Sequence, residues 1–324
     1  MPNSAEPGTT PLRRGLVWSQ IHWSVVIGIA ALHVGCLAAP FTFTWSGLAV
    51  MAVLTWMTGG LGITLCYHRL LTHRSFKTPK WFEYVLTSIA CMAWQGGPAQ
   101  WVGVHRIHHA HSDEELDPHS PKHGFTWAHV LWCMHRDGEN GQPGIAAAKD
   151  LMRDPVQRWL NNYFVVPQFA LVALLVGLGW WIGGWPLAAS WVVWGVCVRT
   201  VLVYHGTWFV NSASHTWGYR NFDTTDHSTN LWWVAVLSFG EGWHNNHHAQ
   251  QRSAAHGMRW WEFDLTWQTI KVLRLVGLAW DVVEPDLAKL GPAEFAPGKA
   301  AAAEPESEAT TVLPLPTKRA MSAG

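Results

Sequence analysis

Between Gly15 and His68 the chain carries no Asp, Glu, Lys or Arg, and a second charge-free run extends from Trp159 to Val198. A helix that crosses a bilayer needs only about 20 consecutive apolar residues, so each run is long enough for two passes. Each also contains a breaker near its middle, Pro40 in the first and Gly183-Gly184-Trp185-Pro186 in the second. The pattern predicts an all-α membrane protein with four transmembrane helices in two hairpins, at 16–39, 43–66, 164–181 and 187–209. Only 14% of the 324 residues are charged against 49% hydrophobic, and the 24 tryptophans suit the headgroup zone of a bilayer.

Charge placement orients these spans. The connections inside each hairpin carry no Lys or Arg, whereas Tyr67–Asn162 carries nearly half of the 22. By the positive-inside tendency both termini and this middle segment are expected to be cytoplasmic. Residues 1–14 read as a polar leader with Arg13 and Arg14 as anchors, with no cleavable signal peptide, and 15–283 as the membrane domain. From 284 to 324 the chain turns to Ala, Pro, Glu, Ser and Thr, which predicts a disordered tail. Val85–Trp94 and Leu231–Gly240 are apolar but too short to span, and are expected to be interfacial or re-entrant helices capping the cytoplasmic side. The five cysteines are scattered without a C-x-x-C pair, which argues against disulfides and thiolate metal sites. Zero formal net charge without a Lys/Arg block excludes nucleic acid as a partner.

Three histidine clusters then carry the chemistry: His68-Arg-Leu-Leu-Thr-His73, His105-Arg-Ile-His108-His109 and His244-Asn-Asn-His247-His248. In H-x-x-H-H the i, i+3 and i+4 side chains share one helix face, so three ring nitrogens can converge. Neutral imidazole is a strong ligand for iron, zinc and copper. Soluble di-iron bundles use paired Glu-x-x-His motifs, but Glu241-Gly-Trp-His244 is the one match here. A histidine-dominated site is expected, and so many imidazoles exceed the six positions of one octahedral ion, which points to two metals. All three clusters follow or lie between the predicted spans, on one side of the bilayer. His215, in Asn211-Ser-Ala-Ser-His215, is a further candidate directly after the fourth span.

These clusters, with Asn211-Ser-Ala-Ser-His215 and Gly240-Glu-Gly-Trp-His-Asn-Asn-His-His248, resemble the integral-membrane fatty acyl desaturases of the stearoyl-CoA desaturase type. Gly96-Gly-Pro-Ala-Gln-Trp101 and Gly124-Phe-Thr-Trp-Ala-His129 place the resemblance nearest the bacterial and plastid acyl-lipid Δ9 branch, over about residues 15–282. The resemblance implies nine histidines holding two iron ions: His68, His73, His105, His108, His109, His215, His244, His247 and His248. It implies that Asn211 reaches the metal through water, and that the di-iron centre uses O2 and two electrons to place a cis double bond in a saturated acyl chain. The cofactor would carry that chemistry while the protein positions the chain and excludes water. An apolar tunnel must set the reacting carbons. Met51–Gly62 is an expected wall, with Trp56, Trp101 and Arg136 as candidate substrate contacts.

Departures from the family pattern bear on substrate and partner. Where the acyl-CoA enzymes have an Arg-Asp pair before the second cluster, this chain has Gly103 and Val104, and their Arg-Lys pair aligns with Arg136 and Asp137. Losing cations disfavours a polyphosphate carrier, so the expected substrate is an acyl group of membrane lipid rather than acyl-CoA. No His-Pro-Gly-Gly haem motif is present, which implies an external electron donor such as ferredoxin. Of the other histidines, His22 and His33 are expected to face the bundle. His111, His119, His123, His129 and His135 are expected mostly at the surface or around the site, while His205, His227 and His256 stay open. Asp113, Asp117 and Glu241 could orient ligand rings, and Arg199 should face the bundle or snorkel. Two alternatives remain on the residues: a lipid or carotenoid hydroxylase, whose first cluster more often reads H-x-x-x-H, and a non-catalytic metal-binding protein or transporter.

Overall fold

A computed structural model of the protein describes residues 17–136 and 141–291, and these are all-helical with isolated bridges but no β-strand. The polar leader 1–14, Asp137 and most of the predicted tail lie outside the described residues. Of the expected tail, residues 284–291 are described and none of them is buried. Asp286 exchanges two hydrogen bonds with Gln250, and Leu287–Lys289 forms a 3-10 turn.

The first predicted span is α-helical only over Trp23–Cys36 (α1), shorter than a full crossing: a 3-10 turn at Trp18–Gln20 and an extended Ile21 precede it, and a 3-10 turn with Pro40 near its start follows at Ala39–Thr42. The second, α2, runs over Trp45–Thr72, beyond the expected end at 66. The Thr44 hydroxyl caps its start by accepting from Gly47 N at 2.9 Å. From Trp56 to Thr72 the winding is π-helical. The third and fourth predicted spans form one long element, α5, over Val165–His215. It is broken at Gly183 and Gly184, whose φ of 68° and ψ of −168° at Gly184 suit a residue without Cβ. Its two legs fold back on each other: the Leu175 side chain meets Gly195, and Gly179 lies against the Ala188 backbone. By length and composition, α2 and α5 are apolar enough to cross a membrane. Trp45, Trp181 and Trp185 are strongly exposed near the two hairpin turns, where indole would meet headgroups.

Arg199 faces the bundle, as expected, and is fully buried. It donates to Met92 O at 2.6 Å, Gln168 Oε1 at 3.0 Å and Gly195 O at 3.0 Å, so one cation joins both legs of α5 to the end of the next helix. That helix, α3 (Lys80–Cys91), packs on α2 through Gly62, where a Cβ would stand 2.7 Å from the Ala90 Cα. Replacing Gly62 by leucine is expected to cost at least about 1–3 kcal/mol of stability, because backbone cannot yield as a side chain does. A lowered melting temperature in detergent is the measurement.

The remaining helices carry or support the other histidine clusters. α4 (Pro98–Ala110) begins where Asn161 Oδ1 accepts from Ala99 N and Gln100 N, at 3.0 and 3.2 Å. Three short helices, Gly141–Ala147, Lys149–Arg153 and Pro155–Asn162, lie between α4 and α5. After α5 come α6 (Trp232–Leu237), α7 (His244–Ala249) and α8 (Leu265–Leu275). The two expected interfacial segments are therefore helical in part, over α3 and α6.

Candidate metal centre

The first histidine pair depends on how α2 is wound. In an α-helix, residues five apart point about 140° away from each other, and His68 and His73 would diverge. Here His73 N donates to His68 O at 3.1 Å, closing a wider π-type turn. The two rings then stand side by side, with centroids 4.7 Å apart. α4 projects His105, His108 and His109, α7 projects His244, His247 and His248, and His215 ends α5. The asparagines inside the third cluster hold α7 in place. Asn245 Oδ1 accepts from Asn221 N and Phe222 N, while Asn246 bonds Asn221, Asn230, Glu262 and His256 O.

All nine candidate histidines meet, in two groups. His68, His73, His105, His109 and His247 form one, and His108, His215, His244 and His248 the other, with the potential ligand atoms of each group within 4.8 Å of one another. In the first, His247 Nε2 lies 3.1 Å from His68 Nε2 and 2.9 Å from His109 Nε2. In the second, His248 Nε2 lies 3.0 Å from His244 Nε2 and 3.4 Å from His108 Nε2. His73 Nε2 and His215 Nε2 are buried without a hydrogen-bond partner among the described residues. Nitrogen lone pairs facing one another in a dry interior are satisfied by a shared cation. Burial, then the neighbouring imidazoles, hold His73, His105, His109, His244 and His247 well below the usual histidine range, in the neutral form that binds metal. The residues present therefore fit two metal ions.

Carboxylates on the outer side set the ring tautomers. Nδ1 of His68 lies 2.6 Å from Glu241, of His108 2.9 Å from Asp117, of His215 3.0 Å from Asp113 and of His248 2.8 Å from Asp226. A proton on Nδ1 leaves Nε2 free to converge. Burial raises the Asp113 carboxyl, but the His215 ring and its N–H bond outweigh that and hold it at about 2. Asp117 and Asp226 stay below the usual carboxylate range against the same burial penalty, through His108 and His248 respectively. From sequence, Asp113, Asp117 and Glu241 could equally have been solvated loop carboxylates. Asp226 was not expected near the ligands, and neither was the fully buried Arg69, which binds Glu241 and Asp264 together. Nothing in their local sequence marks them. The other histidines divide: His119 and His135 are buried, His111 pairs with Glu114 at the surface, and His33, His205 and His129 form a hydrogen-bonded row.

Two cavities reach this centre. A narrow, mostly apolar one touches His68, His105 and His244 and continues along Gly59, Ile63 and Val203. A larger one, about 690 Å³, opens towards His22, Ser24 and Arg136. Trp101, His105, Thr207 and Asn211 line both. At that junction Gln95 Nε2 donates to Thr207 Oγ1 at 2.9 Å, and Trp101 Nε1 donates to Gln95 Oε1 at 3.2 Å. Trp101 and Arg136 thus border the cavities. Trp56 does not: it lies on the outward face of α2, 40% exposed, and within Met51–Gly62 only Gly59 lines a cavity.

Comparison with known proteins agrees with this geometry. The family model for fatty acid desaturases matches residues 43–275. The sn-1 stearoyl-lipid 9-desaturase of Anabaena variabilis is 52% identical over 81% of this chain and 94% of its own length. The sn-2 palmitoyl-lipid 9-desaturase of Nostoc sp. is 46% identical over 82% of this chain and 91% of its own. An acyl-CoA C20 Delta5-desaturase of Anemone leveillei is 44% identical over 83% of this chain and 84% of its own. Matched over most of its length, the chain belongs to the fatty acid desaturase family.

Proposed function

We propose that this desaturase is a multi-pass membrane enzyme that places a cis double bond, at the Δ9 position, in a saturated acyl chain carried by membrane lipid. The carrying observation is the meeting of nine imidazoles in groups of five and four beside a channel junction. Iron is the cofactor proposed, and two irons held there would supply the activation of O2 that removes hydrogen from unactivated methylenes. In the balance, the two methylene hydrogens, two electrons and two protons reduce O2 to two waters. Asn211, on both cavity walls, is proposed to reach one metal through water.

The chain's own residues supply position and dryness. The alkyl chain is proposed to enter by the larger cavity, bend at Trp101 and Thr207, and run into the narrow apolar cavity between the spans. The Gln95 bonds to Thr207 and Trp101 hold that bend, and the buried rings leave little room for bulk water. We place the histidine face and both termini in the cytoplasm, where a soluble donor such as ferredoxin could deliver electrons.

Relatives of similar identity are named for lipid-linked and for CoA-linked substrates, so the preference for lipid rests on the cavity. Arg136 is the one formally charged side chain among the described residues lining the larger cavity. A carrier with several phosphates would need more cations there. Purified enzyme given labelled acyl-lipid and labelled acyl-CoA in parallel is expected to desaturate the lipid at least about tenfold faster, a difference of about 1.4 kcal/mol in barrier. Equal or faster turnover of the thioester would overturn the carrier assignment, and a hydroxylated product would overturn the reaction.

A further inference from the structure

Further buried imidazoles stand against the nine, and one of them, His256, comes from a segment that no histidine cluster marks. His256 is fully buried. Its Nδ1 lies 3.0 Å from Glu241 Oε2, the same oxygen that lies 2.6 Å from His68 Nδ1. Its ring lies against His247, with centroids 4.3 Å apart and 31° between planes. Its backbone is held at both ends: His256 N donates to Asp264 Oδ2 at 2.8 Å, and Asn246 Nδ2 donates to His256 O at 2.8 Å. Asp264 and Glu241 both bind Arg69, which follows His68 in the chain.

The two histidine groups are supported by different outer side chains. In the group of four, His108, His215 and His248 each face a carboxylate, Asp117 also facing His119, and His244 Nδ1 has no hydrogen-bond partner among the described residues. In the group of five, Glu241 serves His68, and His247 Nδ1 has no hydrogen-bond partner among the described residues. His247 is nevertheless the ring whose Nε2 approaches both His68 and His109. What fixes its plane is packing, and the flat neighbour on it is His256. One residue thus does two things for the same group: its Nδ1 stands against the carboxylate beside His68, and its ring braces His247.

We infer that His256 is a positioning residue for the five-histidine metal position alone, setting how tightly that metal is held while leaving the four-histidine position unaffected. The inference rests on the reading of the nine histidines as ligands of two irons. Removing an outer partner of a ligand ring weakens metal binding by about 10–100-fold.

The test uses full-length protein purified in detergent, with iron per chain followed during titration with a chelator. Wild type is expected to lose its two irons late. His256→Ala, lacking both the nitrogen beside Glu241 and the brace, should lose one iron at about 10–100-fold lower chelator concentration and the other as wild type does. His256→Phe keeps a flat ring of similar volume without that nitrogen, guards against a folding defect, and should fall between the two. Two irons held as tightly as in wild type in both variants would overturn the inference, as would equal weakening of both irons. A wild-type chain that binds only one iron would instead overturn the nine-ligand reading beneath it.

Discussion

Replacing His247 by alanine is expected to strip the protein of iron at the five-histidine position and to abolish desaturation while the chain still inserts and folds. His247 is the meeting point of its group, with Nε2 within 3.1 Å of nitrogens from both other clusters. Its removal leaves four rings without the nitrogen that links His68 on α2 to His109 on α4. The fold should survive because α7 is held by its asparagines, not by this ring: Asn245 and Asn246 carry the bonds to 221, 222, 230 and 262. The decisive measurement pairs iron content of the purified variant with fatty-acid profiling of a desaturase-deficient host. Activity should fall by more than about 100-fold, the upper end of what losing an outer partner alone costs. Unsaturated product near the wild-type level would remove His247 from the ligand set.

Arg69→Met is expected to act on stability before it acts on chemistry. The Arg69 guanidinium is fully buried and makes four bonds to carboxylate oxygens, two to Glu241 and two to Asp264, with a fifth to Ala254 O. Removing it leaves two carboxylates facing each other without a counter-ion, a loss of about 3–5 kcal/mol for a broken buried pair. Lysine cannot replace it, since a single ammonium does not bridge two carboxylates in that fork. Thermal unfolding in detergent should show a large drop for Arg69→Met. Partial recovery is expected when Glu241→Gln and Asp264→Asn are added, because the stranded charges are then gone. That triple variant should still bind iron poorly, since Glu241 orients His68. An unchanged melting point in the single variant would contradict this account.

Much of the architecture was legible because it follows from local composition. The charge-free runs and their breakers located α1, α2 and the two legs of α5, and the spacing within the second and third clusters matched α-helical faces on α4 and α7. The limits of α1 and α2 were not legible. 3-10 turns on both sides, the second at Pro40, shortened the first, and π-winding carried the second on to Thr72. Which face of α2 turned outward, and with it the 40% exposure of Trp56, could not be read from an α-helical pattern. Asp226 and Asp264 escaped notice, and His256 stayed open, for another reason. Each acts on residues brought close only by the tertiary fold, and an acid or imidazole in a loop looks alike whether solvated or buried.

The winding of α2 also explains the spacing of the first cluster. On an ordinary helix, H-x-x-x-H already aligns two rings, since four residues make slightly more than one revolution. Five residues overshoot unless each revolution is broadened, and the His73 to His68 backbone bond supplies that broadening. The interval between those histidines and the girth of the coil beneath them are therefore one property. Shortening the interval by a residue would demand a slimmer coil to keep both nitrogens on the same ion.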